Sequence, residues 1–208
     1  MRECGTKKTL LLVKLASFLH HVRLQEFRFH NMKQTHSHPS RARVVRWCAP
    51  AAGFLKINVD GSFNHITRKG GLGFVVRNEL GHMLAGGACP LSGLISPEHA
   101  EILACKRAVE FAADHALIPA VLETDASEVK RQLTQHISSN TSVLGRIYDD
   151  VGNFLETLMG ISVSYVGRKG NLVAHTLAAH ACTLRQDSFY FSTPAFLQSA
   201  IAAEFCNV

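Results

Sequence analysis

The chain has 208 residues, 47% of them hydrophobic, and a formal net charge of +6. This length suits one well-packed domain with some chain left over, and argues against two full domains. Residues 1–46 hold ten Lys or Arg against two acids, whereas residues 47–208 hold twelve against fourteen. The first segment is therefore a basic arm at +8 and the rest is close to neutral at −2. Such an arm suits nucleic acid or an anionic surface, with a poorly ordered lead-in as the alternative.

The cysteines and the apolar N-terminal run argue against a zinc module, a disulfide framework and a membrane-spanning segment. Six cysteines are scattered without a C-x-x-C pair, which indicates neither a zinc module nor a disulfide framework and favours a reducing compartment. The run LLLVKLASFLHHV is interrupted by Lys14 and followed by Arg23, so it is too short and too charged to span a bilayer. A transit peptide is an alternative interpretation. We expect an intracellular protein of the nucleus or cytoplasm rather than of an organelle, without a membrane partner.

Three strands are predicted first along the chain. FLKINVDGSF alternates apolar and polar residues, which predicts a strand over 54–63 with one buried face. The segments GLGFVVRN (71–78) and HMLAGGAC (82–89) flank Glu79-Leu80-Gly81 and predict a hairpin.

Helices and two further strands follow. Ser96 as N-cap and Pro97 at the first helical position predict a helix over 96–116 with one apolar stripe. The later predictions are a strand over 120–125, helices over 127–136 and 142–159, a strand over 161–166, a helix over 171–182 and an amphipathic helix over 193–205. The order β-β-β-α-β-α-α-β-α predicts an α/β domain whose helices pack on a mixed sheet.

Three acids stand where this layout can bring them together. Asp60 lies at the end of the first strand, Glu101 one turn into the first helix and Asp125 at the end of the fourth strand. Each has a structural alternative. Asp60-Gly61-Ser62 suits a turn, Glu101 suits a solvated first-turn acid, and Asp125 has the D-x-x-E spacing of a capping box with Glu128.

Four sequence blocks contain these acids and the segment after them: KINVDGS, HAEILACKRAVE, LETDASEV and RKGNLVAHTLA. In order and spacing they resemble the ribonuclease H fold. The segment RWCAPAAGFLKINVDGS resembles sequences of the plant ribonuclease-H-like family related to non-LTR retroelement reverse transcriptases. The resemblance covers about Trp47 to Arg185.

The resemblance implies a ribonuclease H-like α/β fold with a five-stranded mixed sheet. Three strands would be antiparallel and two parallel, with helices packed on both faces. The chain would then comprise a basic, poorly ordered arm and linker over 1–46, a ribonuclease H-like domain over 47–186 and a C-terminal helical extension over 187–208.

For function, the resemblance implies an RNA–DNA hybrid ribonuclease that cuts the RNA strand with two Mg²⁺ ions, Mn²⁺ being a substitute. Phosphodiester hydrolysis needs charge neutralised on the attacking and leaving oxygens, and two ions about 4 Å apart provide this. Mg²⁺ takes oxygen ligands. By resemblance, Asp60 would bridge both ions while Glu101 and Asp125 hold the leaving-group side. We expect a monomer.

The final block departs from the pattern of active ribonucleases H. The family's fourth ligand is an Asp four residues after the Asn, and this chain has His175 four residues after Asn171. Because imidazole binds Mg²⁺ poorly, cleavage is expected to be weak, absent or manganese-preferring. A catalytically inactive nucleic-acid-binding module derived from a retroelement is the alternative, and a bare retroelement fragment is a third interpretation. His175 itself has packing beside Val173 and Leu177 as its alternative.

Several residues are candidates for nucleic-acid contact. Arg168 and Lys169 lie in the short GRKG loop, where active relatives often carry a His. Gly61 and Ser62 offer backbone and hydroxyl groups, and Asn171 suits either nucleic acid or a helix cap. Hybrid recognition would use 2′-hydroxyls and phosphates, so sequence specificity is not expected.

Overall fold

The structure is a computed structural model that describes residues 47–135 and 142–205. The basic arm and the predicted end of the helix over 127–136 fall outside these residues. Within them the elements are β1 (Leu55–Asn64), β2 (Lys69–Arg77), β3 (Met83–Ser92), α1 (Pro97–Asp114), β4 (Ala120–Thr124), α2 (Ser127–Thr134), α3 (Gly145–Leu158), β5 (Ile161–Tyr165), α4 (Leu172–Ala181), β6 (Ser188–Tyr190) and α5 (Gln198–Phe205). Short 3-10 turns cover Arg168–Gly170 and Ala195–Leu197.

All the strands form one mixed sheet in the order β5-β4-β1-β2-β3-β6. β1, β2 and β3 pair antiparallel, while β4 runs parallel to β1 and β5 parallel to β4. This arrangement confirms the predicted set of three antiparallel and two parallel strands.

The expected count of five strands is wrong by one. β6 pairs antiparallel with β3 through Gly86, Gly87 and Ala88, so the segment after residue 187 begins with an edge strand before its helix. Three residues are too few to show an alternating pattern, and the sequence therefore predicted only the helical part of this segment.

Helices cover both faces of the sheet, as predicted. On one face α1, α2 and α3 bury a cluster that includes Ile57, Phe74 and Val109. On the other face α4 and α5 bury a smaller cluster that includes Val75 and Leu177. Among the described residues no helix combines the length and apolar content needed to cross a bilayer.

β1 differs from its predicted pattern of one buried face. Its apolar residues Ile57 and Val59 are buried on the α1 side, but Lys56, Asn58 and Asp60 are buried too. The alternation is that of a half-exposed strand, yet α4 and α5 cover the polar side. Polar side chains on that side are bonded to one another instead of to water.

Candidate active site

Parallel pairing of two strands brings the first two acids together. In the parallel pairing of β1 with β4, Val59 lies opposite Thr124. Asp60 and Asp125 are the next residues along these two adjacent strands. Asp60 is not in a turn, because β1 continues through Asn64 while paired with β2. α2 has no side-chain cap hydrogen bond in the described structure, so the capping-box interpretation of Asp125 does not hold.

Glu101 reaches the same point from α1. The helix begins with the predicted cap, in which the Ser96 side chain accepts a hydrogen bond from the His99 backbone at 3.0 Å. Gly61 lets α1 approach β1 closely, because a methyl group there would overlap the backbone of Ala100 and Glu101. The half-buried Glu101 therefore points into the sheet edge and is not a solvated first-turn acid.

The three carboxylates form a tight cluster. One oxygen from each of Asp60, Glu101 and Asp125 lies within 4.8 Å of the other two. Burial, followed by the charges of Asp60 and Asp125, raises the pKa of Glu101 to about 9. Burial, followed by the charge of Asp125, raises the pKa of Asp60 to about 6, against the opposing effect of His175. Burial also raises the pKa of Asp125. The cluster therefore favours neutralisation by protons or by cations.

His175 lies at the edge of this cluster. Its Nδ1 and Asp60 Oδ2 are hydrogen-bonded at 3.1 Å, and its side chain is 65% exposed against 7% for Asp60. It is therefore not a core packing residue, although Val173 and Leu177 of the same helix are fully buried. α4 therefore places the imidazole beside the most buried carboxylate of the cluster.

The acids open into a groove of about 990 Å³, called here the acid groove, with Arg168, Lys169 and His175 on its walls. Arg168 and Lys169 are exposed and lie in the 3-10 turn before α4. The positive charge of Arg168 acts to lower the pKa of each of the three acids, against the larger effect of burial. The groove thus combines an acidic floor with a basic rim.

Two of the candidates for nucleic-acid contact are engaged inside the protein. Asn171 is fully buried and its Nδ2 donates to the Val59 carbonyl at 2.8 Å, so it neither contacts the groove nor makes the cap bond. The Ser62 hydroxyl bonds the Gly71 backbone and lies 3.2 Å from the Ala178 carbonyl. These side chains hold β1, β2 and α4 together.

The sequence did not single out two further acids in the groove. Glu98 and Glu128 also line it, and Glu98 accepts a 2.6 Å hydrogen bond from the Tyr148 hydroxyl. Glu128 pairs with Arg131 on the exposed side of α2. The available signal was that both acids stand in the first turn of helices that start at one edge of the sheet.

The donor set fits a divalent cation. Three carboxylates are the ligands that Mg²⁺ and Mn²⁺ accept, and their oxygens are close enough to share an ion. Glu101 Oε2 is buried and has no hydrogen-bond partner among the described residues, as expected of an oxygen that coordinates a cation when one is bound. An imidazole at His175 suits a second hard ion less well.

Comparisons with known proteins agree with this geometry. The family model described as reverse transcriptase-like matches residues 58–181. No curated protein matched the chain. Ribonuclease H1 from the halophilic archaeon Halobacterium salinarum is 26% identical, with a TM-score of 0.56 over 63% of this chain and 98% of its own.

Two structures solved with an RNA/DNA hybrid are also similar in fold. LC11 ribonuclease H1, from a compost metagenome, is 18% identical, with a TM-score of 0.55 over 62% of this chain and 96% of its own. The foamy viral protease-reverse transcriptase is 19% identical, with a TM-score of 0.50 over 72% of this chain and 22% of its own. The chain has the ribonuclease H fold and belongs to the reverse transcriptase-like family.

Proposed function

We propose that the protein is an RNA–DNA hybrid ribonuclease, which cuts the RNA strand endonucleolytically by two-metal-ion hydrolysis. The observation that carries the proposal is the cluster of Asp60, Glu101 and Asp125, whose oxygens lie within 4.8 Å of one another at the floor of the acid groove. The ribonuclease H1 neighbours and the family match support it. Activity is expected to be weak because the fourth position is His175.

The three carboxylates would hold Mg²⁺, or Mn²⁺ as its substitute. When bound, the cations neutralise charge on the attacking and leaving oxygens of the phosphodiester. Asp60 would bind the cations from β1, Glu101 from α1 and Asp125 from the residue after β4. His175 is oriented by its Nδ1 contact with Asp60, which leaves the other ring nitrogen, Nε2, to take a proton from the attacking water.

Substrate binding is assigned to the basic rim. Arg168 and Lys169 are exposed, flank the acids and suit contact with the phosphates of a hybrid. The backbone at Gly61 lines the same groove, whereas the buried Asn171 acts by positioning α4. Because these contacts involve no base edges, we expect cleavage without sequence specificity.

A second candidate is an inactive nucleic-acid-binding module that keeps the groove. The hydrogen bond between His175 and Asp60 favours it, because that bond engages a carboxylate oxygen that a cation would need. In either case we infer from the motif wording an origin in the plant retroelement-related family. A monomer in the nucleus or cytoplasm, with the arm over 1–46 outside the domain, remains our expectation.

The first experiment incubates the purified protein with a labelled RNA–DNA hybrid in Mg²⁺ and, separately, in Mn²⁺. We expect cleavage of the RNA strand, faster in Mn²⁺, and its loss in Asp60→Asn. Asp149→Asn is the matched control, since it makes the same chemical change on the exposed face of α3 and should cleave like the parent.

Binding without cleavage under both metals, with a gain of cleavage in His175→Asp, would support the binding module instead. Cleavage that persists in Asp60→Asn would contradict the assignment of the acid cluster, since the activity would then come from elsewhere or from a contaminant.

A further inference from the structure

A buried polar network lies on the α4 side of β1, outside the acid groove. Its six members come from five separate parts of the chain, two of them from β1: Trp47, Lys56, Asn58, Arg77, Glu123 and Glu204. The Asn58 side chain is at its centre and accepts from Trp47 Nε1 at 2.9 Å and from Arg77 at 2.7 Å, while its amide donates to Glu123 at 3.0 Å. The network therefore ties the domain's first described residues to its last helix.

Glu204 makes two kinds of bond within this network. One carboxylate oxygen pairs with the fully buried guanidinium of Arg77 at 2.5 Å. The other accepts the backbone N–H of Val173 at 3.0 Å. Val173 is in the first turn of α4, where N–H groups have no partner inside the helix and where a negative charge is favourable. Glu204 thus supplies a cap that Asn171 at the N-cap position does not make.

The first turn of α4 is held from two sides. Asn171 binds the Val59 carbonyl, one residue before Asp60, and Glu204 binds Val173, two residues before His175. Both bonds are buried, so water cannot readily replace them. The next turn of the same helix carries His175, whose Nδ1 lies 3.1 Å from Asp60 Oδ2.

We propose that Glu204, in the last helix, is a positioning residue that holds the first turn of α4 so that His175 reaches Asp60. Only the consequence for cleavage rests on the proposed function. The placement of His175 is a property of the fold and can be measured without substrate. The C-terminal helix is by this account a part of the site, although it lies behind the sheet from Glu101 and contributes no candidate metal ligand.

The test reads the His175 side chain directly in long-range ¹H–¹⁵N spectra of the full-length chain, with the His175 signal assigned by its absence in His175→Ala. Asp60→Ala gives the reference for a broken hydrogen bond. In Glu204→Ala we expect the His175 ring signals to move at least half of the way from their parent positions to that reference. Should Glu204→Ala fail to fold, Glu204→Gln, which keeps an acceptor for Val173 but loses the charge, is expected to move them part of the way.

Leu197→Ala is the matched control for reduced stability. Leu197 is fully buried at the start of the same C-terminal segment, but it is outside the polar network. It should lower the melting temperature while the His175 signals stay at their parent positions. A Glu204 variant that melts early with unmoved His175 signals would overturn the proposal. So would a Leu197→Ala variant that moves them equally.

Cleavage provides a second readout if the parent is active. Glu204→Ala should lower kcat by no more than His175→Ala does, and the double variant should lose no more than His175→Ala alone, because Glu204 acts through His175. Losses that multiply would contradict the proposal. An inactive parent would remove the proposed function but leave the spectroscopic result decisive.

Discussion

The hydrogen bond between His175 and Asp60 bears on which Asp60 oxygen is available to a cation in the acid groove. An imidazole supplies no negative charge to a hard ion, and this one engages one oxygen of Asp60, the most buried acid of the cluster. A carboxylate at this position would instead repel Asp60 until a cation bound between them. We therefore expect the residue at 175 to influence which metal the site prefers.

We predict that His175→Asp raises RNA-strand cleavage in Mg²⁺ by about tenfold or more, in line with the usual effect of groups around a metal on affinity or activity. Single-turnover rates in Mg²⁺ and Mn²⁺ measure it, and the ratio of the Mn²⁺ to the Mg²⁺ rate should fall. His65→Asp, the same change on an exposed turn, should leave both rates at the parent value. Equal gains in the two variants would show a general charge effect.

The raised pKa values predict a pH dependence of stability. The pKa is raised to about 9 for Glu101 and to about 6 for Asp60, so the folded state binds protons more tightly than the unfolded state. Without metal, the free energy of unfolding should therefore rise as pH falls through about 9, where Glu101 takes up its proton, and rise further through about 6, where Asp60 does so. Denaturant melts at several pH values in chelator measure this slope.

Glu101→Gln isolates the contribution of the cluster. At pH 8 without metal it should be more stable than the parent by about 1–2 kcal/mol, since a neutral amide replaces a carboxyl whose ionisation is disfavoured. The difference should shrink toward pH 5 and reverse when Mg²⁺ binds the parent. Glu79→Gln, on an exposed turn, should show no such difference. A parent more stable than Glu101→Gln at pH 8 in chelator would be inconsistent with the cluster.

Sequence patterns located the acids but not the burial of their neighbours. Asp60, Glu101 and Asp125 were predictable because each ends or begins an element with a clear pattern, and their blocks occur in a familiar order. Lys56 and Asn58 were expected to face water, yet partners remote in sequence bury them. A pattern over ten residues carries no information about Glu204, which lies on a different helix.

At the scale of elements, two glycines of β2 set the distance between the sheet and α4. Methyl groups at Gly71 and Gly73 would overlap the backbone carbonyls of Ala178 and Ala174, respectively. Since α4 carries His175, this close packing helps to bring the helix within reach of β1. A side chain at either glycine would push the helix away from the sheet.

We predict that Gly73→Ala destabilises the fold by about 1–3 kcal/mol, the usual cost of overpacking a tight core. Gly152→Ala is the control, because a methyl group there meets no atom within 4 Å among the described residues. It lies inside α3 and should stabilise by up to about 1 kcal/mol through helix propensity. Chemical denaturation of both variants measures the contrast, and a neutral Gly73→Ala would show that α4 shifts at little cost.

Long periodic elements were predictable, as were the five-residue strands β4 and β5, but the three-residue strand β6 was not. α1 has a cap, a proline and an apolar stripe, and its bounds fall within two residues of the prediction. β6 has three residues, and its place in the sheet comes from pairing with β3. Whether so short a segment forms a strand depends on the strand with which it pairs, so its own residues are insufficient to predict it.

For the whole molecule, net positive charge is concentrated in residues 1–46, whereas the acid cluster lies in the remainder, which is slightly negative. Residues 1–46 carry a charge of +8, the remainder carries −2, and the groove floor is acidic. An acidic floor repels nucleic acid unless cations or nearby basic groups compensate. We expect the basic arm over 1–46 to supply part of that attraction.

Deletion of residues 1–46 is predicted to weaken hybrid binding at low salt more than at high salt. For each phosphate that the arm no longer neutralises, the slope of log affinity against log salt should become shallower by about 0.9, the value for a B-form duplex. Fluorescence anisotropy over a salt series measures it. A full-length variant with the ten basic residues of the arm replaced by Gln should behave like the deletion. An unchanged slope in both would exclude the arm from binding.

Element order was sufficient to predict a mixed sheet covered by helices, and the resemblance supplied its set of three antiparallel and two parallel strands. Three consecutive strands followed by alternating helices and strands allow few arrangements, and the observed order of β5-β4-β1-β2-β3 agrees with the resemblance. The path after residue 186 was not constrained in this way.

The parallel pairing of β1 with β4 also has a kinetic consequence. Asp60 and Asp125 are separated in sequence by β2, β3 and α1, and we expect such a distant contact to form late in folding. Their mutual repulsion should therefore be largely absent from the transition state and present in the native state. Neutralising Glu101 as Gln is expected to slow unfolding in chelator while the refolding rate stays unchanged, as stopped-flow denaturant jumps would show. A change confined to refolding would place the acids together early. The metal-free protein would accordingly have a short folded lifetime, which cation binding lengthens.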